Sequence, residues 1–371
     1  MGSRRMMSER NPTRRTLADG RQIFYFDDAG RTRDHTARDT RELPTLDHSS
    51  RMRYDVLTGE WITVASHRMT RTHLPSTAEC PLCPTNETRT PTEIPDANYD
   101  VAVFENRFPS FASAPQDGAP NTGDGPGDRP ALGHCEVMCF SSDHTASVAE
   151  LPLERMRTIV GAWISRTEEL SADPVVEQVF CFENRGEEIG VTLTHPHGQI
   201  YAYPYVTPRT RSMLTQADKH FERTGRSLLA DVLASEREDG TRLIYDGDHW
   251  SAYVPIAARW PIEIHLAPHR DIPDLPSLND EEREELAVVY QDLLRRVDRF
   301  YPGVDRVPYI AAWHQAPVRI DRPLSRLHLQ LFSILRAPGK LKYLAGSESA
   351  MGAWVNDAIP EAVAARLREL K

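Results

Sequence analysis

The sequence predicts an α+β fold: two copies of a strand–helix–strand–strand unit, giving a largely antiparallel sheet with helices packed on it. Three observations carry this expectation. The segment from Glu136 to Ala202 holds an apolar strand, a helical stretch and two further strands in that order. The segment from Glu263 to Leu331 repeats the order. The connections within each copy are too short for a doubly wound parallel sheet throughout.

Taken along the chain, residues 1–48 are polar, rich in Arg, Asp and Thr, and read as a flexible arm. Within it, Ile23-Phe24-Tyr25-Phe26 has the composition of a short docking strand. Ordered structure is expected from Met52-Arg53-Tyr54-Asp55, with a turn at Thr58-Gly59 and a strand over Glu60-Trp61-Ile62-Thr63-Val64. The Gly-, Pro- and Asp-rich stretch from Ala114 to Pro130 reads as a surface loop. In the first copy, Glu136–Phe140 is followed by Ser142-Asp143-His144, a helix from about Pro152 to Ser171, a strand over Val176–Phe182 and a His-rich strand over Leu193–Ala202. In the second, Glu263–Leu266 leads to Ala267-Pro268-His269 and a helix over about Asn279–Phe300, started by Asn279 or Asp280. Strands over Tyr309–Trp313 and Leu327–Leu331 complete it. The chain thus divides into an arm (1–48), an N-terminal half (49–207) and a C-terminal half (208–371).

Length does not limit the core at 371 residues, and a net charge of −10 argues against nucleic acid as a partner. Local Arg clusters still permit small anionic ligands. No apolar run has membrane-spanning length and the start lacks a signal-peptide pattern, so a cytoplasmic location is expected, without membrane contact. Of five cysteines, Cys80 and Cys83 form a Cys-Pro-Leu-Cys pair, which in that setting reads as metal or redox chemistry.

The densest chemical signal is Thr194-His195-Pro196-His197-Gly198-Gln199-Ile200. On a strand, His195, His197 and Gln199 project from one face, while Pro196 and Gly198 fall on the other and let backbone approach. Neutral imidazole is a competent nucleophile toward phosphorus near pH 7, and a phosphoramidate splits one transfer into two steps. A neighbouring Gln donates to phosphoryl oxygen without adding a titrating group. His67, His73 and His134, isolated along the chain, read instead as structural.

His195-Pro196-His197-Gly198-Gln199-Ile200 resembles the active-site strand of the galactose-1-phosphate uridylyltransferase family, the transferase branch of the histidine-triad superfamily. Triad hydrolases carry a third His where this chain has Gln199. The resemblance runs from about Met52 to the C-terminus. It includes Tyr54–Trp61, Ser66–Arg71, Cys80–Pro84, Val103–Pro109, Cys139–His144 and Phe182–Gly186, in wording similar to actinobacterial versions. It implies duplicated histidine-triad-like units in a half-barrel sheet. It also implies exchange of UMP between UDP-glucose and galactose 1-phosphate, with His197 as nucleophile and Gln199 on the transferred phosphoryl group.

By the same resemblance, Thr192, Arg68, Arg71 and Asn184 contact phosphate, and Leu82, Phe104, Asn106 and Phe108 line a uridine pocket. Lys342, Tyr343 and Glu348 lie in the sugar-reading segment, with Glu348 accepting from a hydroxyl; Ser347 departs from an expected aromatic hydroxyl there. Cys80, Cys83, His144 and His195 hold one structural zinc. A second metal site is expected to be absent, because Met213 and Gln330 replace two of its ligands beside His314 and His328. A homodimer is implied. An adenylyl-transferring relative shares the catalytic strand and remains an alternative, as does a non-catalytic zinc-stabilised nucleotide-binding module.

Overall fold

Runs of Val, Ile, Phe and Tyr between Gly-, Pro- and Asp-containing turns build the strands of the computed structural model, which describes residues 11–44, 46, 49–70, 74–113 and 127–370. Eleven strands join in one open antiparallel sheet. In chain order they are β1 (Thr13–Thr16), β2 (Gln22–Phe26), β3 (Val101–Glu105), β4 (His134–Cys139), β5 (Gln178–Arg185) and β6 (His197–Tyr203). β7 (Leu243–Asp246), β8 (Trp250–Tyr253), β9 (Ile262–Pro268), β10 (Tyr309–His314) and β11 (His328–Ser333) follow. Across the sheet the order is β1-β2-β3-β4-β6-β5-β10-β11-β9-β8-β7.

The pairing register makes the duplication explicit. Directly opposed residues form one row over ten strands: Ile23, Phe104, Val137, Gln199, Phe182, Ala312, Gln330, His265, Tyr253 and Leu243. The row reads symmetrically about the β5–β10 seam. Gln199 corresponds to Gln330, Phe104 to Tyr253, and therefore His197 to His328. Since opposed residues share a face and alternate residues along a strand do too, the candidate nucleophile and its counterpart stand on the same side of the sheet.

The other side is dry. α1 (Leu153–Ser171) buries Met156, Ile159, Val160, Trp163 and Leu170, and α4 (Asp280–Asp298) buries Leu286, Val289, Tyr290, Leu293 and Val297, both at helical spacing. They pack on Met138, Cys181, Ile200, Trp313, Leu329 and Leu331 in one core. Trp163 meets Tyr290 and Trp313 with ring centroids 5.6 and 5.9 Å apart. α4 starts where the sequence places it, in a capping box: Glu282 N donates to Asn279 Oδ1 and Asn279 N to Glu282 Oε2, both at 2.9 Å. α2 (Pro208–Thr224) and α3 (Leu228–Asp239) link the halves, and Leu233 of α3 packs with Tyr253 and Ala267.

Two expectations are corrected. The arm is not flexible over residues 13–26, because β1 and β2 extend the sheet from β3 and include the expected Ile23–Phe26 strand. Buried charge pairs hold it: Arg21, 1% exposed, donates to Asp19 at 2.8 Å, Glu93 at 2.5 Å and the Glu105 carbonyl at 2.8 Å. His35 stacks on Tyr25 at 4.1 Å between Asp96 and Asp27. The loop assigned to 114–130 ends early: Asp128–Pro130 pairs with the Arg51–Asp55 strand of the expected hairpin over residues 51–64. Residues 114–126 lie outside the described residues, as do Arg71 and His73.

Candidate active site and metal cluster

β6 begins at His197, with His195 just before it. His197 Nδ1 lies 2.7 Å from the His195 carbonyl oxygen, which only accepts, so Nδ1 carries the proton and Nε2 the lone pair. Burial holds the His197 pKa below its usual value, the carbonyl contact opposing it in part, so the ring is neutral at pH 7. Gln199 stands on the same face two residues on, opposite Val137 and Phe182. Gly198 faces the core, where a Cβ would sit 2.7 Å from Phe140 Cζ and 2.9 Å from the Phe182 carbonyl oxygen. This is the close backbone approach expected of that position.

Asn184 lies two residues beyond Phe182 on β5, hence on the face of Gln199. Thr192 is half-buried, and its carbonyl accepts from Leu74 N at 2.8 Å. Arg68 Nη1 donates to the Phe108 carbonyl at 3.0 Å and to Ser110 Oγ at 2.8 Å. Leu82 and Phe104 are buried with Cys80, Cys83, Ile94, Tyr99 and Cys139. Asn106 and Phe108 form the next turn, Phe108 N donating to Asn106 Oδ1 at 2.9 Å.

The four expected metal ligands converge. The ligand atoms of Cys80, Cys83, His144 and His195 lie within 4.8 Å of one another. Cys83 Sγ is 3.4 Å from His144 Nδ1 and 3.5 Å from His195 Nδ1. Bonds of about 2.3 Å to sulfur and 2.0 Å to nitrogen put tetrahedral ligands roughly 3.5 Å apart, so two thiols and two imidazoles fit a metal here. Burial, aided by Cys83, pushes the Cys80 thiol up to about 11, and burial pushes His195 down to about 3. The imidazole is thus in the neutral form that binds metal, while the thiol gives up its proton when a cation enters. His144 turns Nε2 to Thr194 Oγ1 at 3.1 Å, and His195 Nε2 to the Ser141 carbonyl at 2.7 Å.

The segment expected to read the sugar lies in the C-terminal half, around a short helix over Gly346–Met351. Lys342 and Glu348 are buried and pair at 2.9 Å. Lys342 also donates to the carbonyls of Arg259, at 2.8 Å, and Val355, while Glu348 accepts from Ala345 N at 3.1 Å and Val355 N at 3.3 Å. All these partners belong to the C-terminal half. Glu348 thus caps a short helix and pairs with Lys342 within this chain, and Tyr343 is 76% exposed. His314 and His328 stack at 4.7 Å, His314 facing Gln330 Oε1 at 3.4 Å and His328 the Arg326 carbonyl at 3.1 Å. His67 and His134 serve structure, contacting the Pro109 carbonyl and Asp173.

Sequence reasoning missed Tyr99, Ser110 and Thr194, which hold the functional side chains. Tyr99 follows a polar stretch with no motif. Thr194 stands in the loop entering β6, at the head of the His-Pro-His sequence, and could have been singled out by its place beside His195.

The N-terminal domain of galactose-1-phosphate uridyl transferase matches residues 41–207 and the C-terminal domain residues 213–371. The chain belongs to the galactose-1-phosphate uridylyltransferase family. It is 48% identical to the Streptomyces lividans galactose-1-phosphate uridylyltransferase over 305 residues, 81% of this chain and 79% of that protein. It is 34% identical to the Thermotoga maritima enzyme of the same name over 86% of this chain and 98% of that one. A solved uridylyltransferase structure superposes with a TM-score of 0.76 at 32% identity, covering 86% of this chain and 98% of that one. Among the described residues, no helix is long and apolar enough to cross a membrane.

Proposed function

We propose that the protein exchanges UMP between UDP-glucose and galactose 1-phosphate in two steps through His197. The observation that carries this is the 2.7 Å contact from Nδ1 to the His195 carbonyl, which puts the proton on Nδ1 and, in the neutral ring that burial favours, leaves the lone pair on Nε2. Nε2 attacks the α-phosphorus of UDP-glucose; the P–N bond forms, the bond to the bridging oxygen breaks, and glucose 1-phosphate leaves with its electrons. The charge gained by the imidazole is shared with the His195 carbonyl. A phosphate oxygen of galactose 1-phosphate then attacks the same phosphorus, the P–N bond breaks, and UDP-galactose forms.

Gln199 donates to a phosphoryl oxygen as charge develops, and Asn184, Thr192, Arg68 and Arg71 hold the phosphates. Leu82, Phe104, Asn106 and Phe108 receive the uridine. Cys80, Cys83, His144 and His195 would hold one zinc, whose role would be structural, fixing the strand that carries His197. A homodimer would place the Lys342–Glu348 segment of one chain near the site of another, with Tyr343 as the side chain available to reach it. The reaction runs in the cytoplasm.

Uridine-labelled UDP-glucose, incubated with the protein and quenched in alkali, should leave an acid-labile label on the chain. Galactose 1-phosphate should discharge it, and glucose-labelled donor should leave none. Failure to label with uridine-labelled donor while the protein binds it would remove the covalent reading.

A further inference from the structure

The side chain that joins the most parts of the site has no catalytic chemistry of its own. Tyr99 precedes β3 and its side chain is completely buried. Its hydroxyl lies 3.1 Å from the Leu82 carbonyl, 2.8 Å from the Ser141 carbonyl and 3.0 Å from His195 Nε2. Three segments distant in sequence meet there: the turn between the two cysteines, the strand end leading to His144, and the loop entering β6.

Counting protons settles the direction of these contacts. The Ser141 carbonyl can only accept, so its 2.7 Å contact requires the proton on His195 Nε2. Nδ1 is then unprotonated and points toward Cys83 Sγ, 3.5 Å away. With Nε2 already donating, the Tyr99 hydroxyl gives its proton to a carbonyl and turns its oxygen lone pair to Nε2–H. One hydroxyl thereby favours a single tautomer of His195 and ties the backbone between Cys80 and Cys83 to it. The His195 carbonyl, in turn, holds His197 Nδ1.

We propose that Tyr99 is a positioning residue: its hydroxyl adds an acceptor to the His195 tautomer that the Ser141 carbonyl fixes and docks the Cys80–Cys83 turn, so that the metal ligands and the strand bearing His197 keep one arrangement. This rests on the reading of Cys80, Cys83, His144 and His195 as metal ligands. Groups that orient a ligating imidazole typically change metal affinity by about 10–100-fold when removed.

The test is Tyr99→Phe, read by zinc release to a chromogenic chelator and by the visible bands of the cobalt-substituted protein. Release should quicken by about 10–100-fold and the cobalt bands should shift, with the far-ultraviolet circular dichroism unchanged. Wild-type protein that holds zinc, with a variant that matches it in release and bands, overturns the proposal alone. Wild-type protein that holds no zinc overturns the metal reading beneath it. Should Tyr99→Phe fail to fold, nitrogen-15 spectra of the zinc-loaded wild type decide. They should show His195 protonated at Nε2 and a slowly exchanging Tyr99 hydroxyl; a rapidly exchanging hydroxyl overturns the proposal.

Discussion

The two halves of the molecule present the same frame and finish it differently. Each has a His-x-Gln strand whose histidine turns Nδ1 to the carbonyl two residues back, at 2.7 Å for His197 and 3.1 Å for His328. In the N-terminal half the strand starts beside the Cys/His cluster, and both His197 and Gln199 are half-buried. In the C-terminal half Gln330 donates to Glu263 at 2.7 Å, and His328 is buried against His314 and His265. Where Phe104 neighbours the cysteine turn in one half, its counterpart Tyr253 packs under Leu233 of α3 in the other. A repeated backbone supplies geometry; a site also needs donors and acceptors that the protein does not satisfy itself.

The comparison breaks most visibly at the paired histidines. His197→Asn should lower uridylyl transfer by at least ~10⁴-fold, since it removes the attacking atom. His328→Asn should leave transfer within about tenfold, its cost falling on stability. Measuring both by single-turnover labelling decides: comparable loss in the two variants would mean the halves act together.

The seam shared by both halves gives the next effect. Glu183 on β5 is buried beneath the helices, with its carboxylate 2.8 Å from the Tyr309 hydroxyl and 3.3 Å from that of Tyr290. Burial pushes its pKa up from 4.5 to about 7, against the pull of Arg185 and the two tyrosines. The folded state thus holds this proton more tightly than the unfolded one. Its stabilising contribution is complete below pH 4.5 and is lost as pH rises through about 7. The loss is on the order of 3 kcal/mol. Glu183→Gln should flatten that segment of the pH profile, read as urea midpoints at pH 5 and pH 8; an unchanged slope would assign the proton elsewhere.

A smaller effect sharpens the contrast between Gly198 and Leu329, which occupy equivalent core-facing positions. Gly198→Ala should cost about 1–3 kcal/mol, because the new methyl meets Phe140 and the Phe182 carbonyl. It should also slow transfer by displacing His197. Leu329→Ala should cost a similar or larger amount through the cavity it leaves, roughly 2–5 kcal/mol, with little effect on the rate per folded molecule. Equal rates for the two folded variants would show that Gly198 serves packing alone.

Much of this was legible in the sequence because apolar periodicity governs it. The two helices, expected over about 152–171 and 279–300, run over Leu153–Ser171 and Asp280–Asp298, and the capping pair marks the second start. The four candidate metal ligands came from the family resemblance, and their ligand atoms lie within 4.8 Å of one another. Of the β1–β2 hairpin only the Ile23–Phe26 strand was legible, because the anchors are polar: Arg21 and His35 are buried against carboxylates that lie more than sixty residues away in Glu93 and Asp96. The partners of Glu348 were hidden for another reason: pairing with Lys342 and with the Ala345 and Val355 nitrogens depends on the turn between them, which no periodicity marks.

That hairpin has a practical consequence for anyone shortening the gene. The match to the family's N-terminal domain begins at residue 41, an inviting place to start a trimmed chain. Such a chain would lose β2 and leave Val101–Glu105 as the border of the sheet, a strand of four buried residues with unpaired amides on one side. Bare borders of this kind recruit strands from neighbouring molecules, so the shortened protein should precipitate or associate on expression, while its chemistry remained encoded intact.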